Sequence, residues 1–414
     1  MIGLACVLPL LLGAVLLGGG TELSGRVAAR AGLAGALATL GLVGVAWGSG
    51  AVVDFPWLPT LDLRVHLALD GISGPLAVLA AAVTAAACLT TWSQQPRGGS
   101  SATFVGCLML TLAGAVATFA ARDALLFVVA FELVLVPMWV LIDRFGDAAA
   151  DRRRAGWMFV LYTVGGSMFM LAGILLLVVS AGTSDLERLA GGAAAALPFP
   201  IAMTAGVLLT LGLAVKVPLL GVHAWLPRAH TAAPTAGSMM LAAVLLKLGT
   251  YGFVRLVALP MPDAWRRIAP IIAILAVAGI IVGGLVCLVE HDLKRLVAWS
   301  SIAHMGFVML ALAAGQVIGF GAALYGNIAH GVISALLFAV AGGLKHRWHG
   351  DRLDVPRDAV RDVSPRLGFA LLLGLAASLG LPALAGFWAE FLTLLSAWQP
   401  ATDRTLFKVL AAFA

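Results

Sequence analysis

The sequence predicts an all-α integral membrane protein, and three observations predict it. Of its 414 residues, 61% are hydrophobic and only 11% are charged, whereas soluble domains carry roughly 25% charged residues. The apolar runs are about 20 residues long, the length a helix needs to cross a bilayer, and lack the alternation of an outer-membrane barrel strand. The loops between the runs distribute Lys and Arg unevenly. A soluble enzyme, a nucleic-acid binder, a disulfide-stapled secreted domain and a disordered chain are all excluded. The net charge of +6 becomes a question of which side the basic residues occupy.

Runs bounded by charge, Gly and Pro predict spanning helices over 2–19, 31–48, 72–93, 102–120, 124–142, 157–181, 201–226, 233–257, 268–289, 295–313, 317–343 and 367–396. A thirteenth begins near 405. The stretch from Arg404 to Ala414 is too short to span, as expected of a truncated chain or a segment packed on the surface. The first run has no basic residue before it and ends in glycines rather than a cleavage site, so it reads as a retained span. With the N-terminus outside, the cytoplasmic loops hold most of the Lys and Arg, including Arg152 to Arg154, Lys294, Arg295 and Lys345. The opposite loops hold only Arg64, Arg122, Arg188, Arg266, Arg267 and Arg404. The positive-inside rule therefore favours an outside N-terminus in the cytoplasmic (inner) membrane.

Two runs carry a mid-membrane proline, Pro218 and Pro382, each with glycine nearby and each close to an ionisable residue, Lys216 and Glu390. Proline removes a helix hydrogen bond and clashes with the preceding turn. Broken helices in corresponding places of two halves point to an ion path. The expected organisation is three N-terminal helices over 1–101, a first repeat over 102–257 and a second over 258–414.

A charge at bilayer depth costs about 2.5–3.5 kcal/mol on insertion scales. Six ionisable residues fall near the centres of six different runs: Glu132, Lys216, Lys247, His304, His330 and Glu390. Pro137 loosens the helix that carries Glu132. Ser300, Ser301 and Asn327 extend a polar track beside the histidines. Desolvation moves buried lysines and carboxyls toward neutral pH, where histidine already titrates, so the set reads as a proton relay. Pairing that only fixes helix packing is the alternative for any one Glu–Lys pair. His223 and His230, beside Trp225 and Pro227, suit interfacial anchoring or function equally. Asp143 and Arg255 are expected to snorkel or to contact loops, and most tryptophans fit an aromatic belt. Cys6, Cys88, Cys107 and Cys287 sit in apolar runs without CxxC spacing. No Gly-rich phosphate loop or metal-ligand spacing occurs, so no cofactor or metal is expected in this chain.

The stretch Lys216-Val-Pro-Leu-Leu-Gly-Val-His-Ala-Trp-Leu-Pro-Arg-Ala-His230 is followed by Ala233-Pro-Thr-Ala-Gly237 and Leu245-Leu-Lys-Leu-Gly249. Together they resemble the central part of the antiporter-like subunits of respiratory complex I, the proton-pumping NADH:quinone oxidoreductase, and of the Mrp cation/proton antiporters. Leu69-Asp-Gly-Ile-Ser73 and Ser300-Ser-Ile-Ala-His-Met-Gly306 are further family-like stretches, and the resemblance runs from about residue 69 to 396. Gly386-Phe-Trp-Ala-Glu390-Phe391 favours the M-type subunit, which has Glu where other members have Lys, although the Gly–Phe spacing is one residue short.

The resemblance implies a fold of fourteen helices with two inverted five-helix repeats, of which this chain lacks most of the thirteenth and all of the fourteenth. It implies that Glu132 tunes the pumping Lys216, that Lys247 bridges, that His304 and His330 connect, and that Glu390 is the terminal site. It also implies L-type and N-type membrane-arm partners within the bilayer, no nucleic acid, and NADH, FMN, iron–sulfur clusters and quinone (ubiquinone or menaquinone) in partner subunits. The alternative within the family is a subunit of a cation/proton antiporter or membrane-bound hydrogenase.

Overall fold

The computed structural model describes residues 1–19, 23–58, 63–94, 96–147, 151–348, 350–356 and 358–414. Among them are eleven helices long and apolar enough to cross a membrane. The first two are α1 (Ile2–Gly19) and α2 (Gly25–Gly48), the latter capped by Ser24. An antiparallel hairpin of β1 (Val53–Leu58) and β2 (Leu63–Leu67) follows. Then come α3 (Ser73–Ser93) and α4 (Ser101–Ala120).

The run expected at 124–142 is one span kinked into α5 (Ala124–Leu133) and α6 (Leu135–Asp143). Pro137 is the cause: it has no N–H to give the Leu133 carbonyl four residues back. Next are the long α7 (Arg152–Ala181), the three-residue α8 (Leu186–Arg188) and α9 (Phe199–Lys216). The run expected to continue to 226 instead stops at Lys216, ahead of Pro218, and resumes as α10 (Trp225–Ala232). The next span, Thr235–Ala258, is α11 (Thr235–Met240), a π-helical turn over Leu241–Leu245, α12 (Leu246–Gly252) and a second π-helical turn over Phe253–Ala258.

The later spans are α13 (Pro262–Val289), α14 (Leu293–Ala313) and α15 (Val317–Trp348). After the short α16 (Val360–Val363), the last predicted run is broken at Pro382 into α17 (Pro365–Ser378) and α18 (Ala385–Trp398). The final segment, α19 (Arg404–Phe413), packs on α13 and α18 with Phe407 fully buried.

Thr235–Ala258 is the centre of the molecule: 94% of its most apolar stretch is buried, against 28% for α1. Close pairs surround it. On α7 and α9, Gly166 and Gly212 face each other so tightly that a Cβ on Gly166 would lie 2.9 Å from the Gly212 carbonyl. On α14, a Cβ on Gly306 would lie 2.6 Å from the Ala276 carbonyl of α13. Small residues let membrane helices approach to backbone contact, and these approaches fix the helices that flank the centre.

On one face of the bundle the hairpin docks across the ends of α4 and α5. Arg122 N–H donates to the His66 carbonyl at 2.9 Å, Ala68 N–H donates to the Ala120 carbonyl at 2.9 Å, and His66 Nδ1 lies 3.3 Å from Asp185 Oδ2. The sequence had offered no strands here. The opposite face carries Arg152 to Arg154, Lys294 and Lys345, and is called the basic face below.

Candidate functional site

Each of the six ionisable residues, of which Lys216, Lys247 and His330 are buried and Glu132, His304 and Glu390 half-buried, sits where a helix is irregular or closely crossed. Lys216 is the last residue of α9 and is 3% exposed. The break beyond it frees carbonyl groups, and Trp225 Nε1 donates to one of them, that of Val215, at 3.0 Å. Trp225 is thus fully buried rather than part of an aromatic belt. The Lys216 Nζ lies 4.8 Å from the ring centre of Phe131 and 6.0 Å from that of Phe159. Cation–π attraction of this kind stabilises a desolvated ammonium. Among the described residues, no hydrogen bond and no ion pair within 4.0 Å engages that ammonium.

Glu132 follows Phe131 at the kink between α5 and α6 and accepts a hydrogen bond from Ser167 Oγ on α7. The expected Glu132–Lys216 neighbourhood therefore exists, but it is bridged by aromatic rings instead of a direct ion pair. Lys216 also packs against the central helix: a Cβ on Gly249 would lie 3.0 Å from its Cβ.

Lys247 is fully buried. Its sequence neighbours are all apolar, yet its Nζ lies 2.6 Å from the Ala242 carbonyl and 2.6 Å from His330 Nδ1. A π-helical turn displaces backbone carbonyls from their usual partners, and the turn over Leu241–Leu245 contains Ala242. One turn of α12 beyond Lys247, Thr250 Oγ1 donates to Asn327 Oδ1 at 3.0 Å, so a polar seam ties the central helix to α15.

From His330 the path continues. The His330 and His304 rings are 5.5 Å apart. His304 Nε2 is 2.9 Å from Ser378 Oγ, and His304 Nδ1 is 3.3 Å from Glu390 Oε1. Ser378 ends α17 and Glu390 lies on α18, so both sides of the second break meet His304. A cavity of about 20 Å³ is bordered by His304, His330 and Glu390. A cavity above roughly 10–15 Å³ on this measure holds one water.

Four of the six residues, Lys247, His330, His304 and Glu390, thus lie in one row, with polar contacts at both ends and a gap between the two histidine rings. Glu132 and Lys216 form a separate group beside it. Ser300 and Ser301, expected in the polar track, instead donate to the Val297 carbonyl of their own helix. His223 is half-buried, whereas His230 is fully buried, stacked on Phe338 with ring centres 4.4 Å apart and with neither ring nitrogen hydrogen-bonded. It is not an interfacial anchor, because the break turns α10 inward.

Arg255 makes the loop contact expected of it. With Arg122 it binds Asp70, the latter pair at 3.1 Å. Burial alone would raise the Asp70 carboxyl, but Arg255, the Ser73 backbone N–H and Arg122 together hold it well below the usual carboxylate range. The cysteines are unpaired. Among the described residues no cluster of His, Cys, Asp or Glu is arranged to hold a metal.

The family described as "NADH:quinone oxidoreductase/Mrp antiporter, TM" matches residues 121–413. Chain 4 of the NAD(P)H-quinone oxidoreductase of a Picosynechococcus species is 36% identical over 87% of this chain and 66% of its own length. A chain 4 from Thermosynechococcus vestitus is 37% identical over 86% and 66%. The chain thus spans about two thirds of the length of the curated relatives it matches. Among solved structures, a chain of respiratory complex I from Thermus thermophilus superposes with a TM-score of 0.88 at 29% identity, covering 100% of this chain and 84% of that one. A chain of the Mrp complex from a Dietzia species reaches 0.89 at 24% identity, covering 100% and 45%, and shares the fold. The membrane architecture inferred from apolar runs and the family inferred from the Lys216–Gly249 motifs are both borne out: this chain belongs to the NADH:quinone oxidoreductase/Mrp antiporter family of membrane subunits.

Proposed function

We propose that the chain is a proton-translocating membrane subunit of an NADH:quinone oxidoreductase, of the M type, and that Glu132, Lys216, Lys247, His330, His304 and Glu390 carry the protons. The observation that carries this reading is the row from Lys247 through His330 and His304 to Glu390, buried at Lys247 and His330 and half-buried at its end beside a broken helix. An ammonium can only donate a hydrogen bond. With Lys247 charged, His330 is therefore neutral and carries its proton on Nε2, the nitrogen left without a partner. Passing a proton from Lys247 to Nδ1 while Nε2 releases one toward His304 moves charge along the row by one step. A single water in the adjoining cavity is enough to close the gap to His304. Glu390, held through His304, takes the end of the row, and its identity supports the M type.

Lys216 is the switch. Its ammonium rests on aromatic rings and has no hydrogen-bond partner among the described residues, so a shift of Glu132 toward or away from it would change whether it is charged. The halves 102–257 and 258–414 would work as two repeats, each with its broken helix. The redox chemistry of NADH, FMN, iron–sulfur clusters and quinone would belong to partner subunits, and L-type and N-type subunits would be its neighbours in the cytoplasmic membrane. By the positive-inside rule the basic face would be cytoplasmic and the N-terminus outside.

The test is NADH-driven proton uptake in inverted membrane vesicles, comparing the native chain with Lys216→Ala, with and without a sodium gradient. Uptake should vanish in the variant while the assembled complex persists, and sodium should have no effect. Full pumping by Lys216→Ala would refute the relay. Transport that ignores NADH and follows sodium would favour a cation/proton antiporter subunit, a reading that the fold shared with the Mrp chain supports.

A further inference from the structure

A cavity of about 670 Å³ is lined by none of the six ionisable residues of the candidate site. It lies on the basic face between the first turns of α7 and α14. Arg154, Arg228, His223, Trp299, Lys345 and Asp351 are among the residues that line it. Because α7, α14 and the end of α15 all begin or finish here, the cavity sits at the level where the spans meet water. That is the depth of lipid headgroups.

Its charges are not equivalent. Lys345 Nζ lies 2.8 Å from Asp147 and 2.7 Å from Asp351, so this one cation is engaged by two carboxylates and is not free for a ligand. Asp292 is occupied as the cap of α14, accepting from the Arg295 N–H at 2.9 Å. Arg295 is paired with Glu290 at 3.2 Å. Asp151 is exposed, before the first turn of α7. Arg154 and Arg228 are different: both are exposed, and no carboxylate lies within 4.0 Å of either among the described residues. Arg228 reaches only the sulfur of Met158 on α7, at 3.6 Å, which brings its guanidinium over the same helix that carries Arg154.

The surface below these arginines changes character in the order a phospholipid does. Along one face of α7, Arg154 is followed three residues on by Trp157, 52% exposed, and seven residues on by Leu161, 69% exposed. Residues at these spacings stack on one side of a helix. At the helix break Gly221 and Ala224 are also exposed, and Ala224 lines the cavity.

We propose that this cavity seats the phosphate of an anionic phospholipid between Arg154 and Arg228, with its glycerol region against His223 and Trp299 and its acyl chains along Trp157 and Leu161. Basic pockets between membrane helices hold anionic headgroups in this way, and paired guanidinium groups suit phosphate oxygens.

The test uses the full chain reconstituted in phosphatidylcholine vesicles containing a few per cent of spin-labelled phosphatidylglycerol. The native chain should immobilise a saturable fraction of the label, displaced by unlabelled phosphatidylglycerol but not by phosphatidylcholine or inorganic phosphate. Arg154→Gln with Arg228→Gln should weaken that retention by about thirtyfold, from two surface cations acting on one anionic headgroup. Arg361→Gln, on an exposed residue elsewhere on the basic side, should leave it unchanged. Retention unaffected by the double substitution, equal loss with Arg361→Gln, or displacement by inorganic phosphate as effective as by the lipid would each overturn the proposal.

Discussion

The two broken helices look alike in sequence and differ in chemistry. At the first, proline ends α9 beside Lys216, and the chain passes Gly221 (φ 103°) with nothing within 4 Å of where a Cβ would be. The ammonium there touches rings and, among the described residues, no hydrogen-bond partner. At the second, Gly380 (φ 64°) is pressed against a carboxylate: a Cβ would lie 2.6 Å from Glu390 Oε2. Glu390 is held by His304, which is itself held by Ser378 on the other side of the break. One break leaves its charge free to respond, and the other builds its charge into a network. The proposed relay would use both, because a switch must be weakly held while a conducting row must stay in register.

The largest effect should come from cutting the row between the breaks. Lys247→Met keeps the length of the side chain and removes its hydrogen bonds to Ala242 and His330. No unpaired ion is left behind, and the acceptors that lose their donor cost about 1–3 kcal/mol each, so folding should survive. NADH-driven proton uptake should fall by about a hundredfold, the low end of what a positioned proton-transfer group contributes. Normal assembly with near-normal pumping would show that Lys216 reaches its outlet without the row.

The asymmetry of the breaks is itself open to test. Gly380→Ala adds both backbone strain and a clash with Glu390. Gly221→Ala adds strain alone, about 1–2 kcal/mol for a left-handed residue. Proton transport should therefore suffer far more from the first, while the two lower the unfolding midpoint by more similar amounts. Equal losses of transport would mean that Glu390 is not built into the break as described.

Much of this was legible in the sequence because charge in an apolar run is conspicuous. All six ionisable residues could be picked out by the cost of burying them, and the two breaks by their prolines. Their partners could not. Ser167, Thr250 and Ser378 are hydroxyls in membrane helices, where the default is a bond to the carbonyl one turn back. Ser300 and Ser301 follow that default, and only packing decides that Ser167 and Ser378 depart from it. His230 was ambiguous because burial of α10 depends on which way the chain turns after Pro218. The hairpin escaped because its first strand is short and contains Pro56, which belongs to an edge. Asp70 stood out as part of a motif, but its pairing with Arg255 joins positions 185 apart in sequence.

That pairing sets the next prediction. Asp70 anchors the start of α5 through Arg122 and the end of the central helix through Arg255. Asp70→Asn would leave Arg122, which is 4% exposed, without its counter-charge. Breaking a buried pair costs 3–5 kcal/mol, and the partial exposure of Asp70 reduces this to about 2 kcal/mol. Because the Asp70 carboxyl is held below its ordinary value, its contribution is complete above the unfolded-state value near 4 and is lost only as pH falls below that. The unfolding midpoint should therefore drop in Asp70→Asn by the same amount at pH 8 as at pH 5. A deficit that shrinks between those values would show that the carboxyl titrates in that window and is not clamped by the two arginines.

The smallest effect should appear at Ala383, which holds a left-handed conformation (φ 74°) inside the second break. An L-residue there stores about 1–2 kcal/mol that glycine would not, whereas glycine enlarges the unfolded ensemble by up to about 1 kcal/mol. Ala383→Gly should therefore raise the unfolding midpoint slightly or leave it unchanged, and pumping should persist, since Ala383 touches neither His304 nor Glu390 by any hydrogen bond. The informative outcome is a variant that is as stable as the native chain but pumps poorly. It would mean that the strained alanine, and not Pro382 alone, keeps α17 and α18 at the angle that lets Ser378 and Glu390 meet on His304. The rigidity that distinguishes the second break from the first would then reside in a single methyl group's restriction of the backbone.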